Sequence, residues 1–176
     1  VENEKRWGNN LRYRYEHSSK EAISAENRRK TPYQHLSTNF IAHRKLIGKN
    51  PYNEDIKQYG FEDVLLGKRF KALNAKINHI DNPVLFNDFE LNAVFLCKTE
   101  EALRTLSTFQ TELKGYSNLL KITGKLQKMH ISWIGVWLYK FLHKPLKHNL
   151  KGNNPSVFLF NIYKLVYFLH YNSIRK

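Results

Sequence analysis

The apolar spacing between residues 90 and 113 constrains the fold of this chain more than any other feature. Apolar side chains recur there at steps of four, seven, four, three and four residues, at Leu91, Phe95, Ala102, Leu106, Phe109 and Leu113. This repeat is typical of one face of an α-helix. The sequence therefore predicts a long amphipathic helix that buries one face against other elements.

A second amphipathic helix is predicted over residues 62–73, where Leu66 and Phe70 share an apolar face. Two adjacent acids, Glu62 and Asp63, begin this helix. Acidic side chains are favourable in a first helical turn because they face the positive end of the backbone dipole and its unpaired N–H groups. The electrostatics of the helix start can therefore account for one of the two acids.

Two segments have the pattern of short β-strands. Residues 38–43 are mostly apolar, and residues 76–81 alternate between polar and apolar side chains up to the break at Asn82-Pro83. A strand, an acidic turn, a helix and a second strand in this order predict an α/β fold.

The two ends of the chain differ in character. The first 30 residues are polar and basic, which predicts a loop with a short helix near residues 19–29. The chain begins with Val1 and has no signal peptide, so we expect a processed product or a fragment of a longer protein. Beyond Gly115, two aromatic-rich runs at residues 131–142 and 157–171 predict a helical tail. Neither run reaches the roughly 20 apolar residues needed to span a bilayer.

Composition and charge limit the possible partners. Of the 176 residues, 41% are hydrophobic, which excludes wholesale disorder. The single cysteine, Cys97, excludes an intrachain disulfide and a multi-cysteine zinc site. The net charge is +14, and residues 111–176 contain 11 Lys/Arg against 1 Asp/Glu. Such a basic segment attracts nucleic acid, an anionic membrane surface or a phosphorylated ligand.

Aromatic and basic residues lie close together in two places. Near the start, Trp7, Tyr13 and Tyr15 alternate with arginines, as in a groove for single-stranded nucleic acid or a loop over an active site. No RNA-binding signature accompanies them. In the tail, aromatic residues beside lysines suit either a core helix or a helix at a membrane surface. Those aromatic residues are Trp133, Trp137, Tyr139 and Phe141.

Four sequence blocks stand out together: TPY with STNFI at residues 31–41, GFEDVLLG at 60–67, HIDNPV at 79–84 and FLCKTEEAL at 95–103. These blocks resemble the family 2 glycosyltransferases, particularly a bacterial branch with a short helical tail that is common in Bacteroidetes. They occur in the order and spacing of that family within a match from about Tyr13 to Leu106. Four linked blocks are more specific than an isolated pair of acids.

The resemblance implies a partial GT-A fold, a nucleotide-diphospho-sugar transferase α/β fold, followed by the helical tail. It also implies inverting transfer of a sugar from a nucleotide-sugar donor to an acceptor hydroxyl. Asp63 would be the catalytic base that takes the hydroxyl proton. Glu62 would orient the acceptor or support the helix start.

Further residues are candidates for contact with donor or acceptor. Ser37, Asn39 and Gly60 are candidates for acceptor or donor binding, although local hydrogen bonding is the more usual role of Ser37 and Asn39. His79, within a predicted strand, is more typical of a structural histidine than of a metal ligand.

The chain departs from the family in its donor-binding elements. The opening β-α-β units and the Asp-x-Asp pair that would hold Mg²⁺ or Mn²⁺ on the donor diphosphate have no counterpart before Asp63. Asp88 and Glu90 have a similar spacing, but they follow the base, and Glu90 is expected to open the long helix. Phe86 replaces a histidine often found at that position in the family. The chain therefore resembles the second half of an enzyme.

These observations divide the chain into an acceptor and catalytic-base portion at residues 1–113 and a basic helical tail at residues 114–176. The leading hypothesis is a cytoplasmic glycosyltransferase, attached peripherally to the inner membrane face, that acts on a cell-surface glycan or lipid-linked acceptor. We expect little activity from the chain alone and no nucleic-acid partner. The alternative is a non-enzymatic basic module that binds nucleic acid or membrane.

Overall fold

The computed structural model describes residues 6–19, 21, 24–36, 39–82, 84, 86 and 88–175. These residues form helices and irregular segments and contain no β-strand. The helices are α1 (Leu11–Ser18), α2 (Ala25–Lys30), α3 (Arg44–Ile47), α4 (Glu62–Ala72), α5 (Asn92–Thr108), α6 (Asn118–Lys128), α7 (Ser132–Lys151) and α8 (Val157–Ile174).

Polar side chains fix the starts of several helices. Asn10, Ser24, Ser117 and Ser156 each accept a hydrogen bond from a backbone N–H in the first turn of the helix that follows. Such a cap satisfies one of the four N–H groups that a helix start leaves unpaired. These residues cap α1, α2, α6 and α8, and the His43 side chain caps α3 in the same way by accepting the Lys45 N–H.

The main core lies between α5, α7 and α8. Helices α7 and α8 form an antiparallel hairpin, in which Gly135 near the start of α7 meets Leu169 near the end of α8. Helix α5 packs on both, α1 packs on α5 and α8, and α6 packs on α7 and α8. The buried members are Leu11, Leu96, Leu103, Leu106, Leu113, Leu146, Leu150, Phe160, Tyr163, Val166, Tyr167 and Phe168. Residues on both sides of position 113 therefore share one core.

A smaller cluster lies on the other side of α4. Leu66, Phe70 and Ala75 form its buried centre, and Tyr33 and Leu36 are among the side chains that pack around it. Phe61, Val64 and Leu65 of the same segment contact the main core instead. Helix α4 therefore connects the two clusters, and its first turn lies at their junction.

The prediction of an α/β, partial GT-A fold is wrong, because the described part of the chain is helical where it is regular. Of the first predicted strand, residues 39–42 are irregular and His43 precedes α3. Residues 76–81 have no regular secondary structure and pair with no neighbouring strand in the described structure. A strand requires a hydrogen-bonded partner, and apolar patterning alone does not provide one.

The alternation of polar and apolar residues that predicted the second strand corresponds to the burial of the side chains. Ala75 and His79 are buried, Ile77 is half-buried, and the residues between them are exposed. An extended segment that packs one side on a helix has the same period of two as a half-buried strand. Periodicity therefore identified the inward-facing side chains but not their hydrogen bonding.

The predictions of helices agree more closely with the structure. The helices predicted at residues 62–73 and 90–113 are confirmed as α4 and α5, although α5 begins after Glu90 and ends at Thr108. The loop predicted for the first residues is wrong at α1, and the short helix α2 begins later than expected. Among the described residues, none of the helices combines the length and apolar character needed to cross a bilayer.

Candidate functional site around Glu62 and Asp63

The two acids lie in the first turn of α4, after a tight turn. Gly60 has φ of 108° and Phe61 has φ of 70°, and no side chain caps the helix at Phe61. A Glu62 carboxylate oxygen instead accepts the Gly60 N–H at 3.0 Å, and Asp63 accepts the Val64 N–H at 2.9 Å. The acids therefore bond donors at the helix start, as the electrostatics of the first turn favours.

The Asp63 side chain is accessible to solvent, and its pKa is higher than that of an ordinary aspartate. Its side chain is exposed, whereas Glu62 is half-buried. Surrounding protein atoms, which displace water from the carboxylate, raise the pKa of Asp63 above its ordinary value, and the charge of Glu62 adds to this rise. The Val64 hydrogen bond and the nearby His35 oppose it. Asp63 is thus a stronger base than an ordinary aspartate and is still open to a ligand.

The loop that precedes the acids is attached to α5. Glu101 accepts the Tyr59 N–H at 3.1 Å, and the Thr105 hydroxyl donates to the Tyr59 carbonyl at 3.0 Å. Gly60 lies against Ala102 in the same stretch of helix. The second and fourth sequence blocks are therefore in direct contact.

The first and third blocks complete the same assembly. Gly67 at the end of the second block lies against the Tyr33 carbonyl of the first. His79 of the third block donates from Nε2 to the Pro32 carbonyl at 2.9 Å, and the Tyr33 hydroxyl donates to the Ala75 carbonyl at 3.0 Å. All four blocks are thus connected in space through backbone contacts and hydrogen bonds.

A cleft of about 460 Å³ opens beside the smaller cluster. Apolar side chains such as Phe40 and Ile77 line it, together with Asn39, His43 and His79. Glu62 and Asp63 are not among its lining residues. The structure therefore brings Asn39 and His79 together but leaves the acids outside this cleft.

The remaining candidates have the following places. Ser37 lies outside the described residues. Gly60 is buried and has a packing reason to be glycine, and its part in ligand binding stays a prediction. His79 is buried, with its Nε2 bonded to Pro32 and its carbonyl oxygen accepting from Arg29 at 2.8 Å. These contacts give His79 a structural role.

No family model, curated protein or solved structure matches this chain. The resemblance to family 2 glycosyltransferases therefore stays a prediction drawn from the four blocks.

A resident divalent metal does not fit the residues described. Among them, no group of three or more His, Cys, Asp or Glu side chains is placed to hold a metal ion. Glu90 instead forms ion pairs with Arg12 at 3.2 Å and Lys98 at 2.9 Å. The metal implied for the donor diphosphate has no ligand set in the described part of the chain.

The aromatic and basic residues near the start of the chain are engaged in packing. The Tyr15 and Phe160 rings lie 5.1 Å apart, and the Trp7 Nε1 is buried. Arg12 pairs with Glu90, and its charge is thereby used within the chain. These side chains therefore have contacts within the chain, and the binding of nucleic acid or of a sugar by this segment stays a prediction.

Two contacts of the site were missed by the sequence analysis. Glu101 holds the loop through Tyr59, and His35 lies close enough to affect the pKa of Asp63. Glu101 is 42 residues from Tyr59 in sequence, so no local pattern links them. The co-occurrence of the four blocks was the only signal that pointed to this proximity.

Proposed function

We propose that this chain carries the acceptor-activating part of a glycosyltransferase. The enzyme would transfer a sugar from a nucleotide-sugar donor to a hydroxyl group of a cell-surface glycan or lipid-linked acceptor. The observation that carries this proposal is the solvent-accessible Asp63, whose pKa is raised, within one of four sequence blocks that contact one another. The proposal concerns this site and not the α/β fold, which the helical structure excludes.

Asp63 supplies the base that such a transfer needs. An alcohol is a weak nucleophile, and a positioned carboxylate accepts its proton as the oxygen bonds to the anomeric carbon. The bond from that carbon to the nucleoside diphosphate breaks, and inversion results. A raised pKa favours proton transfer to Asp63. Glu62 holds the Gly60 N–H and thereby positions the loop.

The donor-binding groups are not among these residues. The sequence contains no Asp-x-Asp pair. We therefore expect little or no transfer by the 176 residues alone. We also propose that the active protein works at the cytoplasmic face of the inner membrane, because its acid-free segment from residue 113 to residue 176 would be attracted to anionic lipid. Sugar transfer by the isolated chain with a nucleotide-sugar donor would contradict this expectation.

The test is an Asp63→Asn exchange in the full-length protein, with nucleotide release measured in the presence of acceptor. We expect turnover to fall by about 10²–10⁴-fold, the usual contribution of a general base. The raised pKa of Asp63 places the acidic limb of the pH–rate profile above that of an ordinary aspartate, and the exchange removes this limb.

Asp81→Asn is the matched control, because Asp81 is an exposed aspartate in the third block. Its turnover and pH profile should stay unchanged. Glu62→Gln should have a smaller effect than Asp63→Asn, because Glu62 acts through the loop. Equal turnover in Asp63→Asn and the parent protein removes the assignment of the base.

The second candidate is a non-enzymatic basic binding module. The observation in its favour is the absence of any Asp or Glu from residue 113 to residue 176, in a segment rich in lysine. Tight, salt-sensitive RNA binding without nucleotide-sugar binding by the full-length protein would favour it.

A further inference from the structure

Helix α7 exposes a row of large aromatic side chains. Trp133, Trp137 and Phe141 are 65%, 54% and 60% exposed and follow one another at intervals of four residues. Residues four apart lie on the same side of a helix. The rings of Trp137 and Phe141 lie 4.6 Å apart, so the row is continuous there. Contiguous apolar surface of this kind marks an interaction site more often than chance exposure.

Lysines extend the same face. Lys140 and Lys144 are exposed and lie three and seven residues beyond Trp137, so they share its side of the helix. The sequence contains no acid from residue 113 to the end. We define the basic aromatic face as Trp133, Trp137, Lys140, Phe141 and Lys144. Its charge is complementary to an anionic surface.

The opposite side of α7 is part of the protein core. Gly135, Leu146 and Leu150 are buried, and Gly135 lies directly against Leu169 of α8. Lipid therefore cannot surround α7. A helix held in this way can contact a bilayer only along its free side, parallel to the membrane surface.

We propose that the basic aromatic face binds the surface of an anionic lipid bilayer. The two indoles and Phe141 enter the interface between headgroups and acyl chains, where Trp is favoured because it joins an apolar ring system to a polar N–H. Lys140 and Lys144 lie at the lipid phosphates. A second copy of the chain fits this face less well, because a symmetric contact would place like-charged, acid-free surfaces together.

This inference does not depend on glycosyl transfer. None of its residues belongs to the assembly around Asp63. Vesicle binding and nucleotide release are separate measurements, so either proposal can fail while the other stands.

The experiment measures binding of the chain to phosphatidylcholine vesicles with and without about one-third phosphatidylserine by co-sedimentation. We expect binding only to the anionic vesicles, weakening as salt is raised. In a Trp7→Phe background, the emission of Trp133 and Trp137 should shift to the blue on binding. Because Trp7 is replaced, the two remaining indoles that emit both belong to the proposed face.

Two double variants test the face itself. Trp133→Ala with Trp137→Ala removes the rings, and Lys140→Glu with Lys144→Glu reverses the charge. Each should weaken anionic-vesicle binding about tenfold or more. Phe158→Ala and Lys71→Glu are matched controls, because Phe158 is 72% exposed on α8 and Lys71 is exposed on α4. Both controls should bind as the parent does, and circular dichroism checks that every variant is folded.

Several results would overturn the proposal. Equal binding to neutral and anionic vesicles contradicts the role of charge. Binding that survives both double variants contradicts the assignment of the face. The proposal is also overturned if the parent chain does not bind vesicles and the double variants lose dimer formation or RNA binding. The occupant of the face would then be a second copy of the chain or RNA.

Discussion

Gly60 lies against Ala102 so closely that a Cβ built on Gly60 would approach the Ala102 Cβ to 2.6 Å. Gly60 also has φ of 108°, a conformation that other residues rarely adopt. Glycine is therefore required here for backbone conformation and for space. This contact sets how near the Glu62–Asp63 turn lies to α5.

The first prediction concerns this contact. Gly60→Ala should lower the free energy of unfolding by about 2–5 kcal/mol, because a positive φ costs about 1–2 kcal/mol and an overpacked contact about 1–3 kcal/mol. Urea denaturation followed by circular dichroism measures the loss.

Gly115→Ala is the control for Gly60→Ala. Gly115 has φ of 87°, yet a Cβ there would meet nothing within 4 Å. This variant should lose only the backbone contribution, about 1–2 kcal/mol. Equal losses in the two variants would show that Ala102 does not restrict the loop.

The second prediction compares two glycines inside helices. A Cβ on Gly67 of α4 would lie 2.2 Å from the Tyr33 carbonyl oxygen, whereas one on Gly124 of α6 would meet nothing within 4 Å. Gly67→Ala should therefore destabilise the protein by about 1–3 kcal/mol. Gly124→Ala should stabilise it by about 0.5–1 kcal/mol, because alanine favours helix. Thermal and urea unfolding of both variants test this contrast, and stabilisation by Gly67→Ala would refute the close approach of α4 to Tyr33.

The third prediction concerns a half-buried carboxylate that contacts a core tyrosine. Glu100 is 14% exposed at its side chain, accepts the Tyr163 hydroxyl at 2.6 Å and pairs with Lys147 at 2.8 Å. Glu100→Ala should cost about 2–4 kcal/mol, because it leaves both partners partly buried without an acceptor. Urea denaturation measures this cost. Glu112→Ala, at an exposed position, should stay within about 0.5 kcal/mol of the parent, and a similar cost in both variants would argue against the Glu100 contacts.

Helices α4 and α5 were predictable because their apolar residues repeat with the helical period within one continuous segment. Helix α1 was not. Leu11 packs in the main core and Asn10 caps the helix; the cap is a local signal, but the burial of Leu11 depends on distant helices. The strand at residues 76–81 was predicted wrongly because alternation reports one-sided burial and carries no information about a pairing partner.

One part of the candidate site was predictable because it depends on residues that are adjacent in the sequence. Glu62 and Asp63 were located at a helix start from adjacent residues, and the structure places them there. Their surroundings depend on distant residues, such as the contact of His79 with Pro32 across 47 positions. Only the resemblance of the four blocks pointed to that proximity, because no local pattern encodes a tertiary contact.

Three tyrosines around Glu100 share an electrostatic feature. Burial raises the pKa of Tyr139, Tyr163 and Tyr167 above the ordinary value, and the negative charge of Glu100 adds to the rise at all three. The effect is largest at Tyr163, whose hydroxyl donates to Glu100. A phenol in this position strongly resists ionisation while the protein is folded.

The fourth prediction is a loss of stability at alkaline pH. Above the ordinary tyrosine pKa of 10.0, phenols of the unfolded chain ionise, whereas these three hold their protons to higher pH in the folded state because their pKa values are raised. The unfolded state then binds fewer protons, so the contribution to stability is complete below about pH 10 and declines as pH rises further. Urea midpoints between about pH 8 and pH 11 should show this decline. It should be shallower in Tyr163→Phe and unchanged in Tyr52→Phe, where the tyrosine is 47% exposed. Identical slopes in the parent protein and Tyr163→Phe would contradict the assignment to Tyr163.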